Sequence, residues 1–184
     1  IPEIHKHEAN APTIRDGVFS RGSIIVRGLL NDSEVTRMRD LIDLAYVNHD
    51  LAMSGAPRST TSPWFAPFVP SISHGDHDFD RKWFRETGAE LAADSPSGMF
   101  EMLEIFEGNG ISELADGYLG ERPALSVKKT SLRRVPHDQP SEHGWHQDGA
   151  FLGQNIRTMN LWVALSDCGI DAPSMDMVPR RLDY

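Results

Sequence analysis

The hydrophobic residues in the first two thirds of the chain mostly follow helical spacing. Residues 23–26 are an exception, because this short apolar run with β-branched side chains predicts a buried strand. Asn31 and Glu34 then have the spacing of a capping box and predict the start of a helix. The buried face of that helix is predicted to consist of apolar residues three or four positions apart, namely Val35, Met38, Leu41, Ile42 and Ala45.

One long loop and two further helices are predicted before residue 121. Residues 51–80 are rich in Pro, Ser, Gly and Asp, and they predict a surface loop whose length is typical of an active-site lid. A second amphipathic helix has Met99, Leu103 and Phe106 on one side and stops at residues 108–110. A short helix over residues 111–118 follows and ends at Gly120.

The last third of the chain has a different pattern. Residues 125–135 and 158–166 are rich in β-forming side chains and predict two strands, separated by a polar stretch that contains three histidines. Helices first and strands later predict an α+β or all-β core with a helical cap at the N-terminal side.

Composition and charge exclude several classes of protein for this chain. The 184 residues, 39% hydrophobic and 24% charged, predict one globular domain. No apolar run is long enough to span a bilayer and no signal-peptide pattern is present, which predicts a cytoplasmic protein without membrane contact. The net charge of -9 opposes nucleic-acid binding.

Cys168 is the single cysteine, so any metal must bind through His and carboxylates. Nothing in the sequence indicates an oligomeric state.

His146 and Asp148 are the candidate metal ligands, because they stand two positions apart between the two predicted strands. On extended backbone such residues point to the same face, so one imidazole and one carboxylate can reach the same ion. These donors suit iron(II), and a second histidine would complete a 2-His-1-carboxylate triad with open coordination positions. His74 and Asp76 have the same spacing, but they lie in the predicted loop and are interpreted as solvated residues.

The other histidines near the candidate ligands and one acidic cluster are interpreted as loop residues, not as metal ligands. His137 and His143 are near the candidate ligands in sequence and are interpreted as loop residues. The acidic residues Asp76, Asp78 and Asp80 could bind a hard cation such as calcium, but a solvated loop is the favoured interpretation.

Three segments carry a resemblance to a known family. Residues 145–153 (WHQDGAFLG), 160–167 (NLWVALSD) and 172–179 (APSMDMVP) resemble the phytanoyl-CoA dioxygenase family, and the strand at 22–30 followed by the Asn31 helix fits its opening. The resemblance implies a mainly β fold with a helical N-terminal cap, built on a double-stranded β-helix (jelly-roll) core. It implies a single oxygenase domain over residues 1–184, with the helical cap, first strand and lid loop in 1–120 and the first part of the jelly roll in 121–184.

The chemistry implied by the resemblance is hydroxylation of a small organic substrate by dioxygen, with iron(II) and the co-substrate 2-oxoglutarate, and with release of succinate and carbon dioxide. His146 and Asp148 match the family's first two metal ligands, Trp162 an aromatic residue lining the co-substrate pocket, and Lys129 a polar co-substrate contact. The carboxylate of Asp148 favours hydroxylation, since related halogenating enzymes lack it. The second metal histidine and the 2-oxoglutarate-binding arginine are expected after Tyr184, so the jelly roll is expected to be truncated at the C-terminus.

Two other functions stay open on the sequence alone. One is a non-catalytic jelly-roll module that binds a ligand or a protein. The other is a cupin-type metalloenzyme that uses manganese, nickel or zinc without 2-oxoglutarate, because His and carboxylate donors do not select among these metals by themselves. The identity of the substrate is not predicted.

Overall fold

The structure is a computed structural model that describes residues 1–69, 81–135, 145–146, 156–170 and 172–181. Helices make up 47% of it. The helices in the described ranges are α1 (Ala11–Arg21), α2 (Asp32–Met53), α3 (Arg58–Thr61), α4 (Arg81–Glu86), α5 (Pro96–Gly108) and α6 (Ile111–Leu119). The strands are β1 (Glu3–His5), β2 (Ile25–Arg27), β3 (Ala89–Leu91) and β4 (Ser131–Arg133), and short 3-10 helices cover Lys6–Glu8 and Ala92–Asp94.

The predicted mainly β, double-stranded β-helix (jelly-roll) fold is wrong for this structure. The described residues form two sheets of two strands each, with β1 parallel to β2 and β3 antiparallel to β4, and no closed barrel. Of the predicted strand at 125–135 only β4 pairs, and residues 158–166 contain no strand. β-forming side chains favour extended backbone, but a strand also needs a neighbour that completes its hydrogen-bond ladder.

The predicted capping box opens the longest helix of the described part. The Asn31 side chain accepts a bond from the Glu34 amide (2.9 Å), and the Glu34 carboxylate accepts one from the Asn31 amide (2.8 Å). The bond from the Asn31 backbone lowers the pKa of Glu34. Along α2 the predicted inward positions from Met38 to Ala45 are buried, and Val35 is half-buried. The strand predicted at 23–26 is present, with a small offset, as β2, but its residues are half-buried or exposed and not buried as predicted.

The core lies where α2 packs against α5, with contributions from β4 and the 3-10 turn before α5. Its buried members are Met38, Leu41, Ile42, Ala45, Tyr46, Ala92, Met102, Ile105 and Leu132. The helix α5 is confirmed, but its buried face is centred on Met102 and Ile105, while the predicted Leu103 is 41% exposed. The helix α6 ends at Gly120 as predicted, and a φ of 73° there explains the glycine.

One buried carboxylate joins three elements. Glu90, in the middle of β3, is 4% exposed. Its Oε1 lies 2.5 Å from His49 Nδ1 on α2 and 3.1 Å from Arg85 Nη1 on α4. Arg85 also pairs with Asp50 at 2.6 Å and lies 4.1 Å above the ring of Tyr46. Because an unpaired buried charge costs about 3–5 kcal/mol, these contacts hold α2, α4 and β3 in one arrangement.

A second buried carboxylate holds two distant points of the chain together. Asp94, 1% exposed, accepts the Phe68 amide (2.7 Å) and two bonds from the Arg81 guanidinium (2.6 and 2.9 Å). Arg81 also donates to the Phe68 carbonyl (2.8 Å).

The predicted lid loop at 51–80 is only partly described. The helix α2 continues to Met53, α3 lies within the predicted loop, and residues 70–80 are outside the described residues. His74, Asp76, Asp78 and Asp80 all fall in that range, and their interpretation as loop residues stays a prediction. No helix in the described ranges combines the length and the apolar character needed to cross a bilayer.

The helices α1 and α6 approach each other closely at one glycine. A Cβ added at Gly117 would lie 2.7 Å from the Cβ of Ala11, closer than two carbon atoms can pack. Glycine at 117 therefore allows the contact between the two helices.

We expect Gly117→Ala to lower the free energy of unfolding by about 1–3 kcal/mol, because overpacking at the contact exceeds the gain in helix propensity. Gly108→Ala, at the end of α5, is the matched control, because its added Cβ would meet nothing within 4 Å. Urea denaturation of both variants measures the difference. Unchanged or higher stability of Gly117→Ala would contradict the packing argument.

The second prediction concerns alkaline stability. Burial and the neighbouring Glu90 charge raise the pKa of Tyr46 to about 12. The unfolded tyrosine ionises first, near 10, so its contribution is fully present below about pH 10 and is lost between about pH 10 and 12. We expect a loss on the order of 2 kcal/mol over this range that Tyr46→Phe does not show. Denaturation curves against pH test this, and parallel curves for the two proteins would contradict it.

Candidate functional site

His146 is exposed in the structure, beside Trp145, which is 74% exposed. Asp148 lies outside the described residues, as do His137 and His143. The predicted pairing of the His146 imidazole with the Asp148 carboxylate is therefore still a prediction.

The donor types at this pair fit iron(II), which binds imidazole nitrogen and carboxylate oxygen. The residues that the structure describes contain no group of three or more His, Cys, Asp or Glu side chains able to hold a metal ion.

Lys129 lies in a turn, not on a strand as predicted from the sequence. Its backbone N–H donates to the Ser126 carbonyl at 3.0 Å, and β4 begins two residues later. The side chain is exposed. The contact of Lys129 with the co-substrate stays a prediction.

Trp162 lies in a segment that contacts the core through a neighbouring residue. Leu165, three positions further on, packs partly buried against the core cluster. Trp162 itself is 48% exposed, so about half of its surface is available to another group. Such a position suits an aromatic wall of a pocket.

Two clefts of the described part are lined by other residues. The smaller, about 320 Å³, lies between the start of α1 and the start of α6, with Lys6, Asn109 and Glu113 among its lining residues. The larger, about 490 Å³, is lined by Arg15, Phe19, Tyr118, Leu119, Arg157 and Thr158. Lys129, His146 and Trp162 do not line either cleft.

Two arginines in the larger cleft bind the C-terminal end of α6. Arg15 Nη2 donates to the carbonyls of Gly117 (3.0 Å) and Tyr118 (2.6 Å), and Arg157 Nη1 donates to the carbonyl of Leu119 (2.9 Å). Cations are favourable at this end of a helix because its carbonyls carry partial negative charge. Burial raises the pKa of Tyr118, and the charge of Arg15 opposes that rise.

Neither the buried contacts of Glu90 nor the cleft with Arg15 and Arg157 was predicted from the sequence. The single local signal for Glu90 is a glutamate between the apolar residues Ala89 and Leu91. Nothing near Arg15 in sequence indicates that Arg157 lies at the same helix end, since that contact depends on the folded chain.

The family assignment follows from comparison with known proteins. The sequence profile described as phytanoyl-CoA dioxygenase (PhyH) matches residues 19–180, a range that includes His146, Asp148, Lys129 and Trp162. A comparison with curated proteins and one with solved structures each found no match. The family consists of dioxygenases that generally depend on iron(II) and 2-oxoglutarate. The resemblance noted in the sequence is thus confirmed, and the chain belongs to the phytanoyl-CoA dioxygenase family.

Proposed function

We propose that this protein, a single oxygenase domain over residues 1–184, is an iron(II)- and 2-oxoglutarate-dependent dioxygenase. It hydroxylates a small organic substrate with dioxygen and releases succinate and carbon dioxide. The observation that carries the proposal is the family match over residues 19–180, which includes the His146 and Asp148 pair. The family's dioxygenase chemistry and its general cofactor requirement support this reading.

His146 and Asp148 are the proposed metal ligands. Bound iron(II) with 2-oxoglutarate supplies the oxidation of an unactivated C–H bond. The imidazole of His146 stands at an exposed position, where an ion and its co-substrate would have access from solvent. The carboxylate of Asp148 would offset part of the ion's charge, and its presence favours hydroxylation because related halogenating enzymes lack it.

Lys129 and Trp162 are the proposed co-substrate contacts. The ammonium group of Lys129 would pair with a carboxylate of 2-oxoglutarate, and its exposed position leaves it within reach of a ligand. The exposed half of the Trp162 ring would form an apolar wall that orients the carbon chain of the co-substrate and excludes water.

The ligand assignment predicts a spectroscopic difference between the two His-x-Asp pairs of the chain. Anaerobic addition of iron(II) and 2-oxoglutarate to the full-length protein should produce a metal-to-ligand charge-transfer band and, with oxygen, succinate. His146→Ala and Asp148→Ala should abolish both, because each variant removes a ligand. His74→Ala and Asp76→Ala are matched controls with the same spacing and should keep both signals. A protein without the band, or a band unchanged in His146→Ala, would overturn the proposal.

The co-substrate contact predicts a specific change in KM. Lys129→Met should raise the KM for 2-oxoglutarate by about tenfold, because a charge-assisted hydrogen bond contributes about 1.5–3 kcal/mol. Lys128→Met is the matched control, since it removes the same charge one position away, and its KM should be unchanged. Steady-state kinetics on both variants measure this, and equal effects at the two positions would exclude a specific role for Lys129.

A further inference from the structure

The larger cleft, here called the Arg15–Arg157 cleft, brings together three separate parts of the chain. Arg15 and Phe19 come from α1, Tyr118 and Leu119 from the end of α6, and Arg157 and Thr158 from the segment that leads to Trp162. Because the two guanidinium groups bind the carbonyls of three consecutive residues, 117 to 119, they lie at the same helix end.

Two arginines supply the charged groups that line this cleft, in a chain that is acidic as a whole. Five other arginines pair with carboxylates, namely Arg27, Arg37, Arg81, Arg85 and Arg134. Arg15 and Arg157 instead bind only backbone carbonyls among the residues that the structure describes. The end of a helix carries roughly half a negative charge, which is less than the charge of two guanidinium groups. The residues that line the cleft therefore carry a net positive charge, in a protein whose formal charge is -9.

Both arginines retain donors for a further group. Arg15 uses Nη2 and Arg157 uses Nη1 for the helix carbonyls, and the remaining N–H groups of each planar guanidinium are unused in these bonds. A guanidinium can thus bind the helix on one side and a carboxylate or phosphate oxygen on another.

The rest of the cleft is apolar or weakly polar. Phe19 is 43% exposed, so its ring presents apolar surface to a ligand in the cleft. Leu119 and the ring of Tyr118 continue the same surface. The volume of about 490 Å³ lies within the range of small-molecule sites, roughly 300–1,000 Å³.

We propose that the Arg15–Arg157 cleft binds a small organic anion, in which a carboxylate or phosphate group is attached to a compact apolar or aromatic body. The anionic group contacts the two guanidiniums, and the apolar body covers Phe19 and Leu119. This site is separate from the metal site proposed at His146, and it does not depend on iron.

The competing explanation is that the two arginines serve only to cap α6. In that case the cleft would have no preference for an anion, and the exposed ring of Phe19 would contribute nothing to binding. Ligand binding therefore separates the two explanations, whereas stability measurements do not.

Calorimetric titration of the metal-free, full-length protein provides the test. The probes are benzoate, phenyl phosphate, neutral benzamide and inorganic phosphate. We expect saturable binding of benzoate or phenyl phosphate, with benzamide at least about tenfold weaker because it lacks the charge. The tighter of the two aromatic anions identifies the preferred anionic group. Inorganic phosphate should bind more weakly than phenyl phosphate, because it lacks the apolar body. Equal binding of benzamide, or no saturable binding of either aromatic anion, would overturn the proposal.

Three variants assign the binding to this cleft. Arg157→Gln keeps a donor for the Leu119 carbonyl but removes the charge, and it should weaken binding of the tighter anion about tenfold. Phe19→Ala keeps both arginines and should weaken the same binding several-fold. Arg39→Gln, on an exposed part of α2, should leave it unchanged. Circular dichroism shows whether each variant is folded. If Arg157→Gln does not fold, the affinity of Phe19→Ala for the anion decides whether the ligand binds in this cleft. Wild-type affinity in both cleft variants would place the ligand elsewhere and refute the assignment.

Discussion

The pairing of the buried Glu90 carboxylate is the constraint on which the arrangement of the helices depends. A carboxylate removed from water is tolerated only with charged or hydrogen-bonding groups beside it. Those groups, His49 and Arg85, come from α2 and α4, so the three elements have one favourable arrangement. His49 lies on the same face of α2 as Met38 and Ala45, which pack against α5. Apolar contacts hold α2 against α5, and the ionic contact fixes α2 relative to α4 and β3.

Features of the fold that depend on local interactions could be predicted from the sequence. The reciprocal bonds of Asn31 and Glu34 involve residues three positions apart, so their spacing alone predicts where α2 begins. Features that depend on contacts between distant residues could not be predicted from the sequence. Residues 158–166 have the composition of a strand, but no local pattern shows whether another segment pairs with them. In α5 the apolar residues Met102 and Leu103 are adjacent in sequence, so helical periodicity is compatible with either of them on the buried face. The structure buries Met102 and leaves Leu103 exposed.

The candidate site shows the same division between local and distant information. Three segments near the C-terminal side of the sequence, one of which includes His146 and Asp148, suggested the family, and the match over residues 19–180 confirms it. The surroundings of Lys129 were misjudged, because a run of β-forming residues predicted a strand where the chain makes a turn. Arg157 could not be connected with α6 from the sequence, since it reaches the Leu119 carbonyl across 38 positions.

Asp94 has a consequence for how the chain tolerates substitution. It fixes the backbone at Phe68 and the side chain of Arg81, which are 13 positions apart, against a single buried group. A neutral side chain at position 94 would therefore release both points at once and leave the Arg81 guanidinium without its buried carboxylate partner. Because Asp94 stands two residues before α5, one substitution would disturb three separate parts of the described chain.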